Sequence, residues 1–307
     1  MRRSSAVDRQ RRWFGSKGLD IAAISGGAKS LGVPELPETE TIARDLDRLV
    51  RGSTITSVAI RKSDVLRLVT RNGLARRITG STMVQWWRRA KLIICDLSIG
   101  DRLVIQPRFT GALLIDDGTL APGLLRHSAL HFGLDDGRQL HYSDVRRLGT
   151  VSMMDSATFA SYEGLLGVEP LDPSFTTERL SGLVRGSRQA VKKLLMDQRR
   201  VAGVGNIYAN EALWRAGIDP SRAANTLVAS EVALLRDQLV ATLTESIDAR
   251  GTTFRDFQDT AGQRGGYAER LQAYGRGGLP CRRCGTRLFE THAIDGRSTV
   301  ICSRCQD

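Results

Sequence analysis

The chain has 307 residues, with 45 Lys and Arg against 33 Asp and Glu and a formal net charge of +12. With 41% hydrophobic residues and 31 Gly, it has the composition of a folded chain of about two domains rather than a disordered or collagen-like one. No stretch approaches the roughly 18 consecutive apolar residues of a membrane span, and the basic excess points to a negatively charged partner.

Residues 1–33 carry five Arg and two Lys against Asp8 and Asp20, or +5, leaving +7 on Pro34 to Asp307. The stretch is rich in Arg, Ser, Gly and Ala and has little periodicity. It lacks the apolar run of a signal peptide and reads as a disordered leader, or as sequence absent from the mature protein. At Pro37 the pattern changes. Pro37-Glu38-Thr39-Glu40 opens a helix, because proline suits the first turn and acids suit the positive end of the helix dipole. Ile42, Leu46, Leu49 and Val50 form its apolar face and Gly52 ends it. From Ile55 to about Met154 short apolar runs such as Thr56–Ile60, Leu92–Ile94, Leu103–Ile105 and Ala112–Ile115 alternate with turns at Asp116-Asp117-Gly118 and Asp135-Asp136-Gly137. This is the pattern of an antiparallel sandwich or barrel. Pro170-Leu171-Asp172-Pro173 reads as a linker, and from Thr176 to about Arg250 the period is helical. Val191, Leu194 and Leu195 mark one helix, and Ser230 caps another whose core face is Val232, Leu235, Leu239 and Leu243. Between them the glycine turn Ala202-Gly203-Val204-Gly205-Asn206 feeds a helix start of the kind that holds phosphate on backbone N–H groups. A second glycine-rich loop spans Gly262 to Gly266.

Cys281, Cys284, Cys302 and Cys305 form Cys-x-x-Cys twice, with 17 residues between the pairs. Each pair fits a tight knuckle, and the intervening length suits a β-hairpin that returns the second pair to the first. Four thiolates complete a tetrahedral Zn²⁺ shell and leave no position for water, so the zinc is expected to be structural. Cys95, in an apolar run, reads as a small buried hydrophobe.

A zinc hairpin after a helical module, after a β domain, after Pro34-Glu35-Leu36-Pro37-Glu38, resembles the formamidopyrimidine-DNA glycosylase family, bacterial enzymes that excise oxidised purines. Further carriers are Arg88-Arg89-Ala90-Lys91, Asp144-Val145-Arg146-Arg147-Leu148-Gly149, Leu166–Leu171, Met196-Asp197-Gln198 and Gly203–Tyr208. The resemblance implies an α+β multidomain fold: an N-terminal β-sandwich with an N-terminal helix (34–165), a helix–two-turn–helix domain (170–260), then a lesion loop and a four-cysteine zinc-finger hairpin (261–307).

It also implies the chemistry. The nucleophile is the amine of an N-terminal proline, here Pro34, whose nitrogen captures the sugar C1′. Glu35 is the acid that protonates the opening sugar, and Glu38 positions it. Without the resemblance these acids read as helix N-terminal charges. Since an amide nitrogen is no nucleophile, residues 1–33 are expected to be missing from the active protein. Val33 offers a route, since a GUG codon read as methionine and then trimmed exposes Pro34. Processing by a protease is the second route.

Lys91 and Arg297 match phosphate-gripping residues beside the lesion, Lys91 otherwise reading as an exposed strand lysine. Asn206 matches the phosphate-contacting asparagine of the glycine turn, and His127 and Arg188 are weaker backbone-contact candidates. A flipped-out base leaves a hole that the family fills with Met, Arg and Phe. Here Phe109, Arg146 and Leu148 stand in those places beside Arg147, so the aromatic has moved from one wedge position to the other; by residue type Phe109 and Leu148 also suit a β core. Gln106 stands where the family commonly has His, and Val145 replaces Pro. The Gly262–Tyr267 loop is expected to cover the flipped base. The expected partner is double-stranded DNA containing oxidised bases, bound by a cytoplasmic monomer without membrane association. Competing readings are an endonuclease VIII-like enzyme for oxidised pyrimidines, disfavoured by Arg146-Arg147 and Leu36-Pro37, a silent damage-binding paralogue, and a zinc-ribbon transcription factor, which leaves the N-terminal block unexplained.

Overall fold

Helix α1 (Leu36–Val50) buries Ile42, Leu46 and Val50 completely, and Gly52, at φ +84°, turns the chain away after it. The computed structural model describes residues 34–254 and 256–307, so the leader expected over 1–33, with Val33, lies outside the described residues. Among the described residues no helix is long and apolar enough to cross a membrane. The chain divides into two compact units, and the division falls inside α1, between Glu38 and Thr39.

The first unit comprises Thr39–Leu165 and Asp256–Arg264. Its strands are β1 (Ile55–Ile60), β2 (Leu66–Arg67), β3 (Met83–Arg89), β4 (Leu92–Leu97), β5 (Arg102–Gln106), β6 (Gly111–Asp116), β7 (Ser128–Leu134), β8 (Gln139–Asp144) and β9 (Thr150–Met154). They form a five-stranded sheet in the order β2-β9-β5-β4-β3 and a four-stranded sheet in the order β1-β7-β8-β6. All pairings are antiparallel except β2 with β9. Alternate residues of the two sheets (Ile93, Cys95, Leu103 and Ile105 from one, Leu113, Leu130, Phe132 and Tyr142 from the other) share one core with α1. Burying each large apolar side chain contributes about 1.5–3 kcal/mol. Helix α2 (Arg71–Ile78) adds Leu74 and Ile78 to this core, while α3 (Pro122–Leu125) and α4 (Ser156–Glu163) complete the unit. Cys95 lies in the core, where burial pushes its thiol well above the usual range.

The second unit holds residues 34–38, 166–254 and Gly265–Asp307. Its helices are α5 (Thr177–Arg185), α6 (Val191–Met196), α7 (Asn206–Ala216) and α8 (Ala229–Asp248). Leu180, Val184, Leu194, Leu195, Tyr208, Leu213, Leu235, Leu239 and Leu243 form its core. Ser230 does not cap α8. The N-cap is Val228, whose N–H donates to Glu231 Oε2 at 2.8 Å, so a first-turn glutamate does the capping and Ser230 lies within the helix. Strands β10 (Phe289–Thr291) and β11 (Thr299–Ile301) make the C-terminal hairpin.

Two pieces depart from a division in chain order. Residues 34–38 cluster with the helical unit rather than the sandwich, and Asp256–Arg264 cluster with the sandwich. The reasons are specific hydrogen bonds: Leu36 N–H donates to Gly203 O at 3.0 Å, and Ile115 N–H donates to Thr260 O at 3.0 Å.

Candidate active site and DNA-contacting residues

In the helical unit the glycine turn is assembled first. The buried Gln198 accepts from Gly203 N–H at 2.8 Å and donates to Val204 O at 2.7 Å. Gly203 adopts φ +84°, and a Cβ there would strike the Leu36 side chain. Only glycine lets the N-terminal block lie against this turn. The turn ends in Gly205, the N-cap of α7, which leaves the first backbone N–H groups of that helix without intrahelical acceptors.

Glu35 supplies the acceptor. Its Oε1 accepts from Ile207 N–H at 2.9 Å and Oε2 from Tyr208 N–H at 3.5 Å. Its carboxyl group therefore caps α7, not the helix it precedes in sequence. Glu38 is also buried. It accepts from Glu35 N–H at 2.9 Å, Thr252 N–H at 2.7 Å and Tyr208 O–H at 2.5 Å. Burial raises its carboxyl pKa to about 7 despite these donors, with the Glu35 charge adding to the rise. Tyr208 is completely buried, and its hydroxyl also meets Ser246 at 2.6 Å and Thr252 at 2.9 Å. Pro34 is buried at the head of this arrangement, and Asn206 is the first residue of α7.

Arg297 lies in the β10–β11 loop after Asp295 and Gly296, both at positive φ. It is 8% exposed, with Nη1 3.8 Å from Asp295 and 3.9 Å from Met196 Sδ. Beside it is a lysine that the sequence reading passed over. Lys192 is fully buried and donates to Ser298 O at 2.8 Å and Thr299 Oγ1 at 2.7 Å. Burial, reinforced by the Arg297 charge, lowers its pKa to about 7, against the opposing pull of Glu35 and Asp295. The signal was present in the pattern: Lys192 stands three and four residues before Leu195 and Met196 on the apolar face of α6, whereas Lys193 points outward. Asn210 completes the seat of the hairpin by donating to Ser298 O at 3.3 Å and accepting from Val300 N–H at 2.9 Å.

The four hairpin cysteines place their sulfurs within 4.8 Å of one another, and none is in a disulfide. A tetrahedron with Zn–S of about 2.3 Å has edges of about 3.8 Å, so the donor set fits zinc in both type and spacing. Cys281 and Cys302 are buried with Trp214, Ala273, Leu288 and Val300. Glu211, another buried carboxyl that the sequence reading did not single out, accepts from Gln272, Ala273 and Tyr274 N–H at 2.8 Å each and ties the segment before the zinc knuckle to α7. Tyr267, expected in a loop over the base, is instead a fully buried core residue whose hydroxyl meets Arg215 at 3.1 Å. Its ring has a large apolar area to bury and its hydroxyl a partner, so the core holds it. Arg188 is exposed in the turn between α5 and α6.

In the sandwich unit Lys91 sits in the two-residue β3–β4 turn after Ala90, which adopts φ +53°. It is buried, neither in a strand nor exposed. Arg88 supports the turn, donating to Ala90 O at 3.0 Å and to Glu40 at 2.8 Å. Phe109 is 6% exposed in the turn between β5 and β6, and the Arg146 guanidinium lies over its ring at 4.9 Å. Phe109 is buried, though outside the sandwich's main core cluster, whereas Leu148 is exposed and is not a β-core residue. Val145, Arg146 and Arg147 are exposed with Leu148 on the β8–β9 loop, and Arg147 Nε donates to Asp64 at 2.7 Å. His127 is exposed at the foot of β7.

Comparison with known proteins agrees with this architecture. Residues 33–151 match the formamidopyrimidine-DNA glycosylase N-terminal domain, 166–258 its H2TH domain, and 278–307 the zinc finger found in FPG and IleRS. The cysteine cluster is thus the site of one structural zinc. A formamidopyrimidine-DNA glycosylase of Desulforamulus reducens is 40% identical over 277 residues, covering 89% of this chain and 99% of the relative. The Lactococcus lactis Fpg (MutM) solved with N7-benzyl-Fapy-dG-containing DNA is 31% identical, with a TM-score of 0.81 over 89% of this chain and 100% of that one. The same protein solved with DNA containing an oxidized pyrimidine is 30% identical, with a TM-score of 0.81 and the same coverage.

Proposed function

The chain belongs to the formamidopyrimidine-DNA glycosylase family, DNA glycosylases of base excision repair, and from that premise we propose that it removes oxidised purines from double-stranded DNA and then cleaves the strand as an AP lyase. The form that acts begins at Pro34. The family match that starts at residue 33 supports this, as does the near-complete coverage of the relatives by 89% of this chain. A free secondary amine at residue 34 is a terminal amine, which holds its proton less tightly than a lysine does and so offers a lone pair more readily. Its lone pair attacks C1′, the base departs with the glycosidic electrons, and ring opening leaves an iminium that draws electrons from C2′. Loss of the 2′ proton then expels the 3′ phosphate, and a second elimination expels the 5′ phosphate.

The observation that carries this reading is the pair of α7 N–H groups on the Glu35 carboxyl group. The proton that the attacking amine sheds on becoming an iminium reaches Glu35, which passes it to the departing sugar O4′, and those donors stabilise the carboxylate left behind. Glu38, holding Glu35 N–H, keeps the acid in register with residue 34. Lys91, Arg297 and Asn206 grip phosphates, with His127, Arg147 and Arg188 on the flanking backbone. Phe109, Arg146 and Leu148 fill the vacated stack, and the Arg146 guanidinium faces the orphaned base. The protein works as a cytoplasmic monomer.

Borohydride trapping on an 8-oxoguanine:cytosine duplex, with protein beginning at Pro34, tests the proposal. A covalent adduct is expected, and its absence on every oxidised substrate overturns it. A thymine-glycol duplex in parallel tests the pyrimidine reading, to which the L. lactis complex with an oxidized pyrimidine lends weight. Faster trapping on that duplex reassigns the substrate class.

A further inference from the structure

The wedge side chains stand on two separate loops, 107–110 and 145–148, and one buried carboxylate joins them. Asp144 ends β8 opposite Gly111 and is 2% exposed. Its Oδ1 accepts from Thr110 O–H at 2.5 Å, Arg146 N–H at 3.2 Å and Arg147 N–H at 3.0 Å. Its Oδ2 accepts from Gly149 N–H at 2.9 Å and Tyr142 O–H at 3.2 Å. Thr110 Oγ1, whose O–H is donated in a hydrogen bond to Asp144, also accepts Arg146 N–H at 3.0 Å, so the threonine hydroxyl is a bridge between the loops. The first loop is itself closed by Gly111 N–H on Pro107 O at 3.0 Å. Gly149 is wedged where a Cβ would strike the Tyr142 hydroxyl and the Gln106 and Pro107 carbonyls. Arg108 and Arg147 take positive φ (52° and 50°), a conformation that side chains other than glycine adopt only when their surroundings enforce it. Above this root, the Arg146 guanidinium rests on the Phe109 ring.

We propose that Asp144 is the positioning residue of the DNA-inserting wedge: its carboxylate clasps the two loops so that Phe109 and Arg146 enter the duplex as one preassembled unit. The proposal rests on the wedge role assigned above. The two carboxylate oxygens can serve all five donors, whereas an amide must turn an NH₂ toward some of them. Asp144, 2% exposed, is not itself an inserting group. It acts through the order of the loops, because a wedge that must find its shape after insertion forfeits part of its stacking energy to loop entropy.

The test uses protein beginning at Pro34 and the variants Asp144→Asn, Thr110→Val and Thr110→Ser. Two readouts need the wedge: single-turnover excision from an 8-oxoguanine:cytosine duplex, and the fluorescence change of 2-aminopurine opposite an uncleavable tetrahydrofuran site. Two do not: strand cleavage of a single-stranded abasic oligonucleotide, and zinc content. Asp144→Asn is expected to lower duplex excision 10- to 100-fold and abolish the 2-aminopurine change. Single-stranded cleavage should stay within twofold of the parent, with full zinc. Thr110→Val is expected to lose about fivefold on the duplex, and Thr110→Ser, which keeps the hydroxyl, to retain parental activity. Equal losses on duplex and single strand, or no loss on either, overturn the clasp, and should Asp144→Asn fail to fold, Thr110→Val against Thr110→Ser decides alone. A parent protein that cleaves nothing defeats the proposed function, and the fluorescence on the uncleavable duplex then still decides the clasp.

Discussion

The acid-bearing block at 34–38 and the wedge at 107–110 and 145–148 use the same device toward opposite ends. In both, a buried carboxyl group collects backbone N–H groups: Glu35 and Glu38 in the first, Asp144 in the second. In the block everything is buried, including the groups assigned to the chemistry, because proton transfer gains from fixed donors in a dry setting. In the wedge the root is buried with Phe109 packed onto it, while Arg146 and Leu148 stay exposed, because they must reach a partner outside the protein. Preorganisation of a catalytic group is thus obtained by burying the group itself, and preorganisation of an inserting group by burying what it stands on.

Three experiments break or sharpen that comparison. The largest effect is expected from Glu35→Gln, which keeps the shape of the block but removes its acid. General acid catalysis contributes about 10²–10⁴-fold, so single-turnover base excision should fall by that order while DNA affinity by anisotropy is nearly unchanged. A matching loss of affinity would make Glu35 a structural cap only. Next is Phe109→Ala. Stacking of about 1–3 kcal/mol per base corresponds to roughly 5- to 150-fold, which should appear in excision from damaged duplex and not in binding of undamaged duplex. Equal loss on both duplexes would return Phe109 to a packing role.

The smallest effect is on stability against pH. Glu38 is raised to about 7 from 4.5, so the stability it contributes is fully present below about 4.5 and is lost as pH rises through about 7. Lys192 is lowered to about 7 from 10.5, so its contribution is present above about 10.5 and is lost as pH falls through about 7. Urea denaturation should find that Glu38→Gln flattens the profile between pH 4.5 and 7 and that Lys192→Met flattens it between pH 7 and 10.5. Unaltered slopes in both variants would show that neither group titrates across its window.

Much of this molecule was legible because the signals are local. The zinc ligands follow from two Cys-x-x-Cys pairs, and α1 follows from Pro37 and the spacing of Ile42, Leu46 and Val50. The β character of 55–154 follows from short apolar runs and Asp-Gly turns, two of whose glycines, Gly118 and Gly137, take φ +94° and +88°. The misreadings have physical causes. Ser230 is a good cap by residue type, but Glu231 outcompeted it by reaching back to Val228 N–H. Tyr267 sits in a glycine-rich stretch yet has a core pocket to fill. The bland alternative for Lys91, an exposed strand lysine, fails because a two-residue turn with Ala90 at positive φ puts it, buried, at the hairpin tip.

The sequence alone determined which residue types are available and how short-range geometry groups them: four thiols for one metal, a glycine turn before a helix, and a proline followed by two acids. Only the tertiary structure decided that Glu35 caps a helix beginning 171 residues later, that Glu38 meets Tyr208 and Thr252, that Lys192 is buried under the zinc hairpin and that Asp144 joins two loops. The reason is that hydrogen-bonding capacity is written in each residue, whereas the choice of partner depends on which distant backbone groups folding leaves unsatisfied and within reach.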